Sequence, residues 1–264
     1  MNEASDAPTA PVVTIGKYAH AKHHGDGVFS TVYRARAAVE NNVPPNYKTG
    51  PTRLVALKVT TTSLMVEPHD SEREARILST CSHPHIMSLI ESFWQAGGRF
   101  VLVFPFLKYD LATLIQTRRM KDKQIVSHLR DLFSGLSYLH SHGIIHRDVK
   151  PSNILMDTSD GPAYLADFGI AWSANDCASE PAHDKITDVG TTCYRPPELL
   201  FGNTAYNETL DLWAAGCVVA ECFSKPYKTL FDAGDVGSEL ALIQSIFMTL
   251  GTPTTEVWPV SIAH

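Results

Sequence analysis

The chain has 264 residues, with 22 Lys or Arg against 28 Asp or Glu and a formal net charge of −6. Apolar residues make up 44%, with 16 Gly and 16 Pro, which excludes a collagen-like, low-complexity or largely disordered chain. The mildly acidic balance offers no basic field to draw the chain to nucleic acid or an anionic membrane, so neither is expected as a partner.

At about 150 residues per domain, this length predicts one large or two small units. The five cysteines (Cys81, Cys177, Cys193, Cys217 and Cys222) form no C-x-x-C pair and are odd in number, which points to a reducing, intracellular compartment. The start, MNEASDAPTA, lacks the basic and then apolar character of a signal peptide. No run reaches the roughly 18 apolar residues needed to span a bilayer.

In chain order, residues 1–12 hold two prolines and read as a flexible tail. From Val12 to Val59 the texture is strand and turn: V-V-T-I, then H-H-G-D-G, the alternating V-F-S-T-V-Y, and L-V-A-L-K-V. Between Ala37 and Arg53 a polar insert with Pro44, Pro45, Gly50 and Pro51 is expected to be an exposed hairpin loop. Glu67 to Thr80 reads as a helix offering Ala75, Ile77 and Leu78 to a core. Arg99 to Leu107 reads as a buried strand in which proline forbids ladder pairing beyond it. Ile125, Leu129, Leu132, Leu136 and Leu139 recur at helical spacing, with Gly143 as the stop. Leu210 to Phe223 is apolar almost all round, as a central helix would be. A small β-rich lobe over 13–106 and a larger α-rich lobe over 107–264 follow, and the cleft between them is the default ligand site.

Several short patterns carry chemistry. Gly25-Asp26-Gly27 with Ser30 forms a G-x-G-x-x-S loop between strands, which alone is an ordinary tight hairpin as often as a phosphate cradle. Lys58 in Val55-Ala56-Leu57-Lys58 points opposite to Leu57 and could reach phosphates beneath that loop, although singly it reads as a solvated strand lysine. Glu74, ordinarily a surface helix residue, would fix that lysine by an ion pair. His146-Arg147-Asp148-Val149-Lys150-Pro151-Ser152-Asn153 and Asp167-Phe168-Gly169 then place Asp148, Asn153 and Asp167 as one base and two Mg²⁺ ligands. Helix caps and a turn asparagine explain any one of them, but not all three in this order.

These residues resemble the eukaryotic protein kinases from about Tyr18 to Pro259. The resemblance implies an α+β, bilobal protein-kinase-like fold: a small antiparallel β lobe with one helix and a larger, mainly α lobe. It implies ATP and Mg²⁺ as cofactors and a protein substrate. Lys58 would contact the phosphates and pair with Glu74, Asp148 would orient the substrate hydroxyl or accept its proton, Asn153 and Asp167 would hold Mg²⁺, and Lys150 would steady the γ-phosphate. In the connector, Phe104 stands at the gatekeeper position. Pro105 would offer a carbonyl to the adenine, Leu107 a backbone donor and Asp110 a ribose contact, with Val32, Ala56 and Leu155 around the purine. Lys150 and Thr191 resemble the serine/threonine branch.

Tyr194 to Gly202, Asp211-Leu212-Trp213, Leu250-Gly251-Thr252-Pro253 and Trp258-Pro259 resemble the cyclin-dependent kinases, and Phe29-Ser30-Thr31-Val32-Tyr33 is similar to the kinases that activate them. The substrate implied is the activation loop of another kinase, in cell-cycle or transcription control, in the nucleus or cytoplasm. Four departures matter. Val28 and Phe29 replace a Thr-Tyr pair subject to inhibitory phosphorylation. Glu72 stands where the family buries an isoleucine against cyclin, which implies weak or absent cyclin dependence. Trp172 replaces one arginine of a phosphothreonine pocket, leaving Arg73 and Arg147, and Thr187 is one residue out of register as an acceptor, so loop phosphorylation is expected to matter little. Gly190 stands where relatives strain a valine beside Arg195, a feature tied to proline-directed specificity.

The chain stops at His264, short of the family's last helices, so the large lobe is expected to be undersized and Glu198 to lack a partner. That favours the rival function, a nucleotide-binding pseudokinase or scaffold, whereas the intact Lys58, Asp148, Asn153 and Asp167 favour catalysis. A third reading takes His20, His23 and His24 with Asp26 as a metal site, against which stands that they flank a flexible loop.

Overall fold

The structure, a computed structural model, describes residues 12–38, 52–117 and 120–254. The tail, most of the polar insert, and Trp258-Pro259 lie outside those residues.

The first half is one antiparallel sheet. Strands β1 (Val12–Ile15), β2 (Tyr18–Asp26), β3 (Ser30–Ala38) and β4 (Thr52–Thr61) are followed by helix α1 (Ser71–Thr80), then β5 (Glu91–Gln95) and β6 (Arg99–Pro105), in the order β1-β2-β3-β4-β6-β5. The period-2 alternation of β4 decides which side chains reach the cleft. Val55 and Leu57 are buried with Val101 and Val103 in the core of the sheet's other face. Ala56 and Lys58 therefore face the cleft, paired in register with Phe104 and Leu102.

Two sequence expectations shift here. The helix expected from Glu67 begins at Ser71, because Asp70, in extended backbone, caps it by accepting from the N–H groups of Glu72 and Arg73, both at 2.9 Å. Residues 67–70 form the turn that delivers that cap. The strand expected to run to Leu107 ends at Pro105, yet pairing does not stop at the proline: the next N–H, of Phe106, donates to the Leu54 carbonyl at 3.2 Å. Proline removes its own donor and leaves its neighbour's free to pair.

The second half is mainly helical. After β7 (Tyr109–Asp110) come α2 (Leu111–Gln116), α3 (Asp122–Ser141), β8 (Ile144–Ile145), β9 (Ile154–Met156), β10 (Tyr164–Leu165), β11 (Trp172–Ser173), α4 (Pro197–Leu200), α5 (Thr209–Phe223) and α6 (Glu239–Leu250). The stripe Ile125, Leu129, Leu132, Leu136 and Leu139 is buried along α3. It packs into one core with Ala214, Ala215 and Val218 of α5. Gly143, just past the helix, adopts φ +68° and turns the chain toward β8, as a helix stop requires. Two small ladders, β10-β9-β7 and β11-β8, form the floor of the cleft and the base of the segment that follows Gly169. Among the described residues no helix is long and apolar enough to cross a membrane.

Candidate active site

Sheet and floor enclose a cleft of about 470 Å³. From above it is lined by Gly25 of β2, Gly27 of the β2–β3 turn, Val32 of β3 and Ala56 of β4. Leu155 of β9 closes it from below, and Phe104, Pro105, Leu107 and Asp110 form its inner edge. Part of the lining, from Val32, Ala56, Phe104, Leu107 and Leu155, is thus apolar, as a pocket for an organic ligand commonly is. Asp110 is already engaged: its carboxylate caps α2, accepting from the Thr113 N–H at 2.8 Å and hydroxyl at 2.7 Å. Ser30 joins this lining from the G-x-G-x-x-S pattern, and sequence reasoning missed Met87 and Ala166. These two carry no motif, and they come together where the Met87 N–H donates to the Leu165 carbonyl at 2.9 Å.

At the polar end, Lys58 Nζ lies 2.9 and 2.7 Å from the two Glu74 oxygens and 2.7 Å from Asp167 Oδ1. Burial disfavours the ammonium, but the two carboxylates outweigh it and hold Lys58 protonated, its pKa raised. The same lysine holds Asp167 well below the usual carboxylate range against the opposing effect of burial. Glu74, almost wholly enclosed, is raised by desolvation. The two carboxylates therefore differ in role: the Glu74 side chain is 1% exposed and Asp167 49%. Glu74 anchors the lysine, and Asp167 keeps an open face toward the cleft. Asp167 sits at φ +66°, the left-handed region, which turns its side chain from the floor toward Lys58.

A second cavity of about 200 Å³ shares Gly27, Ser30, Lys58, Glu74 and Asp167 with the first and adds Asp148 and Lys150. Asp148 is held from both sides. Its Oδ1 accepts from the Thr191 N–H at 3.0 Å and hydroxyl at 2.8 Å. Its Oδ2 meets Asn153 Nδ2 at 3.0 Å and Lys150 Nζ at 2.8 Å. Lys150 also donates to Thr191 Oγ1 at 2.8 Å. Asn153 spends its amide nitrogen on Asp148, including the backbone carbonyl at 2.8 Å, so its amide oxygen remains available as an acceptor. Asn153 and Asp167 thus present the oxygen donors a hard divalent cation takes, and the donor set fits Mg²⁺. All the side chains chosen from the sequence line one or both of these connected cavities.

The loop carrying Asp148 is fixed by a residue that the sequence marked only through resemblance. Asp211 on α5, wholly buried, accepts from the backbone N–H of His146 at 2.8 Å, that of Arg147 at 2.9 Å, and His140 Nε2 at 2.9 Å. Arg147 takes φ +69°, a strained geometry for a non-glycine residue that surrounding bonds must hold. His146 links this loop to the next motif, with Nε2 donating to the Ala166 carbonyl at 3.0 Å and its ring 4.7 Å from Phe168.

At Gly190, φ is +77°, its carbonyl accepts from Arg195 Nε at 2.9 Å, and an added Cβ would stand 2.7 Å from the Arg147 carbonyl. Glycine is required twice over, by conformation and by space. Gly190→Ala is expected to cost about 1–3 kcal/mol of stability and to raise the KM for a peptide substrate. Thermal melting and peptide kinetics check this, and an unchanged melting temperature would contradict it. Glu198 carries a carboxyl that burial pushes up. The histidine-rich strand gathers no ion site: among the described residues no group of three ligating side chains exists. His23 pairs with Asp26 at 3.0 Å, and His24 lies against Phe106 and lines the cleft.

A bilobal cleft with this ordered set of lysine, glutamate, asparagine and aspartates defines a phosphotransferase of the kinase class. The chain belongs to the protein kinase domain family, whose model matches residues 18–261. It is 38% identical over 211 residues to the serine/threonine-protein kinase csk1 of Schizosaccharomyces pombe, covering 78% of this chain and 67% of that protein. It is 37% identical over 242 residues to cyclin-dependent kinase 7 of Xenopus laevis (89% and 62%). It is 34% identical over 239 residues to CTD kinase subunit alpha of Saccharomyces cerevisiae (89% and 41%). The chain thus spans less than two thirds of the length of the latter two relatives. Among solved structures, the yeast RNA Pol II CTD kinase CTDK-1 complex contains a similar fold, with a TM-score of 0.71 and 30% identity over 96% of this chain and 76% of that one.

Proposed function

We propose that the chain transfers the γ-phosphoryl group of ATP to serine or threonine hydroxyls of proteins. The observation that carries this reading is the convergence on Asp148. Its carboxylate, aimed by Thr191, Asn153 and Lys150, opens on the same cavity as the Lys58–Glu74–Asp167 cluster. Asp148 would hold the attacking hydroxyl and take its proton as the oxygen–phosphorus bond forms and the bridging oxygen of the diphosphate leaves. Lys58 would grip the phosphates under the Gly25–Gly27 turn, and Lys150 would meet the transferred group. Asn153 and Asp167 would hold Mg²⁺, which when bound neutralises phosphate charge. Catalysis is then positioning and electrostatic complementarity. Transfer of labelled γ-phosphate to a protein or peptide hydroxyl, lost in Asp167→Asn, tests it. Nucleotide binding without transfer would instead support the scaffold reading.

For the substrate we infer the activation loop of another kinase, in the nucleus or cytoplasm. The similarity to cyclin-dependent kinase 7 and csk1 and the Phe29–Tyr33 segment support this. We further infer that no cyclin is needed. Glu72 is exposed at the start of α1, where a partner would have to bury it. The Lys58–Glu74 pair, which requires α1 to be pressed against the sheet, is made within the single chain. Adding a purified cyclin is expected to change the transfer rate by less than about twofold, and a large stimulation in the same assay would overturn this.

A further inference from the structure

Glu180 lies in the segment that joins Gly169 to Pro197, and the chemistry above does not use it. Its carboxylate grips Arg147 as a fork, Nη1 at 2.9 Å and Nη2 at 3.4 Å, and stands 3.6 Å from Arg73 Nη1. Arg147 is fully buried, and Arg73 nearly so at 5% side-chain exposure. Two guanidiniums so enclosed require an anion, and Glu180 is the carboxylate that the fold delivers to both. The positions of its partners in the chain give this contact its meaning. Arg147 immediately precedes Asp148, and Arg73 immediately precedes Glu74. A single side chain is therefore tied to the loop carrying the proposed base and to the helix carrying the lysine anchor.

The surroundings hold Glu180 in place. Trp172, which stands where the resemblance places a third arginine, donates its indole N–H to the Glu180 carbonyl at 2.8 Å. Lys185 packs over the rings of Trp172 and Tyr206, 5.0 and 4.9 Å from their centroids. Tyr206 accepts from Arg147 Nη1 at 2.9 Å and donates to the Ile186 carbonyl at 2.7 Å. Burial pushes the Glu180 carboxyl up, but its bond and charge pairing with Arg147 prevail and hold it below the usual range, so it stays ionised.

Resting on the phosphotransfer reading of the cleft, we propose that Glu180 is a built-in positioning residue, a permanent carboxylate that docks residues 170–196 on Arg73 and Arg147 and makes phosphorylation of this segment unnecessary. A phosphoryl group would act on guanidiniums through the same charge-assisted bonds. Here the ligand is encoded, and Thr187 is not needed to supply it.

The test uses the full chain. Glu180→Gln is expected to lower kcat by about tenfold or more with the KM for ATP within about twofold, because orientation is lost while the nucleotide wall is intact. Glu180→Asp, which restores the charge, recovers part of that loss. Tryptic cleavage after Lys185 accelerates in Glu180→Gln as the segment loosens. Thr187→Ala and phosphatase treatment of the wild type leave kcat within about twofold. Wild-type kcat and cleavage rate in Glu180→Gln would overturn the proposal, as would a large activity loss on phosphatase treatment. If the wild type transfers no phosphate, the catalytic reading fails separately, and the cleavage rate alone decides the docking role. Should Glu180→Gln not fold, Arg73→Gln removes one arm and leaves the Arg147 fork. Faster cleavage there supports the proposal, and unchanged cleavage rejects it.

Discussion

Replacing Asp167 by asparagine is expected to lower kcat for phosphoryl transfer by on the order of 10²–10³-fold while leaving the fold intact. Lys58 sits between two carboxylates, 2.7 Å from each. Asparagine is nearly isosteric, but it takes away a full negative charge and can turn two N–H donors toward an ammonium that is itself only a donor. The open face of Asp167 toward the cleft loses the charge that a divalent cation would meet. Little stability is at stake, because asparagine tolerates the left-handed backbone found at this position and the side chain is half exposed. Steady-state transfer of labelled phosphate and a melting curve on the same preparation separate the two effects. Activity within tenfold of wild type would mean that the carboxylate near Lys58 is not part of the machinery.

The second large effect is on stability. Asp211→Ala is expected to destabilise the chain by about 4 kcal/mol, since two buried backbone N–H groups, those of His146 and Arg147, lose their acceptor together, at about 1–3 kcal/mol each. The same change frees Arg147, whose positive φ is maintained by these bonds. At about 2–4 °C per kcal/mol for a chain of this size, the melting temperature should fall by roughly 10 °C. Activity should fall as well, because Asp148 follows directly in the chain. Thermal unfolding monitored by circular dichroism measures this, and a fall of less than about 2 °C would show that the loop is held by other contacts.

Much of the site was legible in the chain because its parts are local patterns. The alternation of β4 commits Lys58 to the face opposite Leu57, whatever lies beyond. The stripe of α3 is set by residues three and four apart, and all five are buried. Asp148 and Asn153 are five positions apart and touch, so their mutual geometry is a property of one short loop. By contrast, the N-terminal limit of α1 was misplaced, because Asp70 is both an acceptable helix residue and a better cap. Only the packed turn before it decides between the two. Asp110 lines the cleft, as the sequence implies, and it also caps α2, a second role that only the fold reveals.

What the amino-acid order determined by itself was the inventory and its facing: Lys58, Glu74, Asp148, Asn153 and Asp167, and the strands and helices that carry them. Only the tertiary structure decided that Glu180 reaches Arg147, 33 residues away, and that Asp211 reaches the backbone 64 and 65 residues before it. The physical reason is range. Strand alternation, helix periodicity and capping act over two to four residues and leave a trace in sequence. Which carboxylate neutralises a buried guanidinium, or satisfies a buried N–H, depends on where separate segments come to rest in the common core, and no local pattern encodes that.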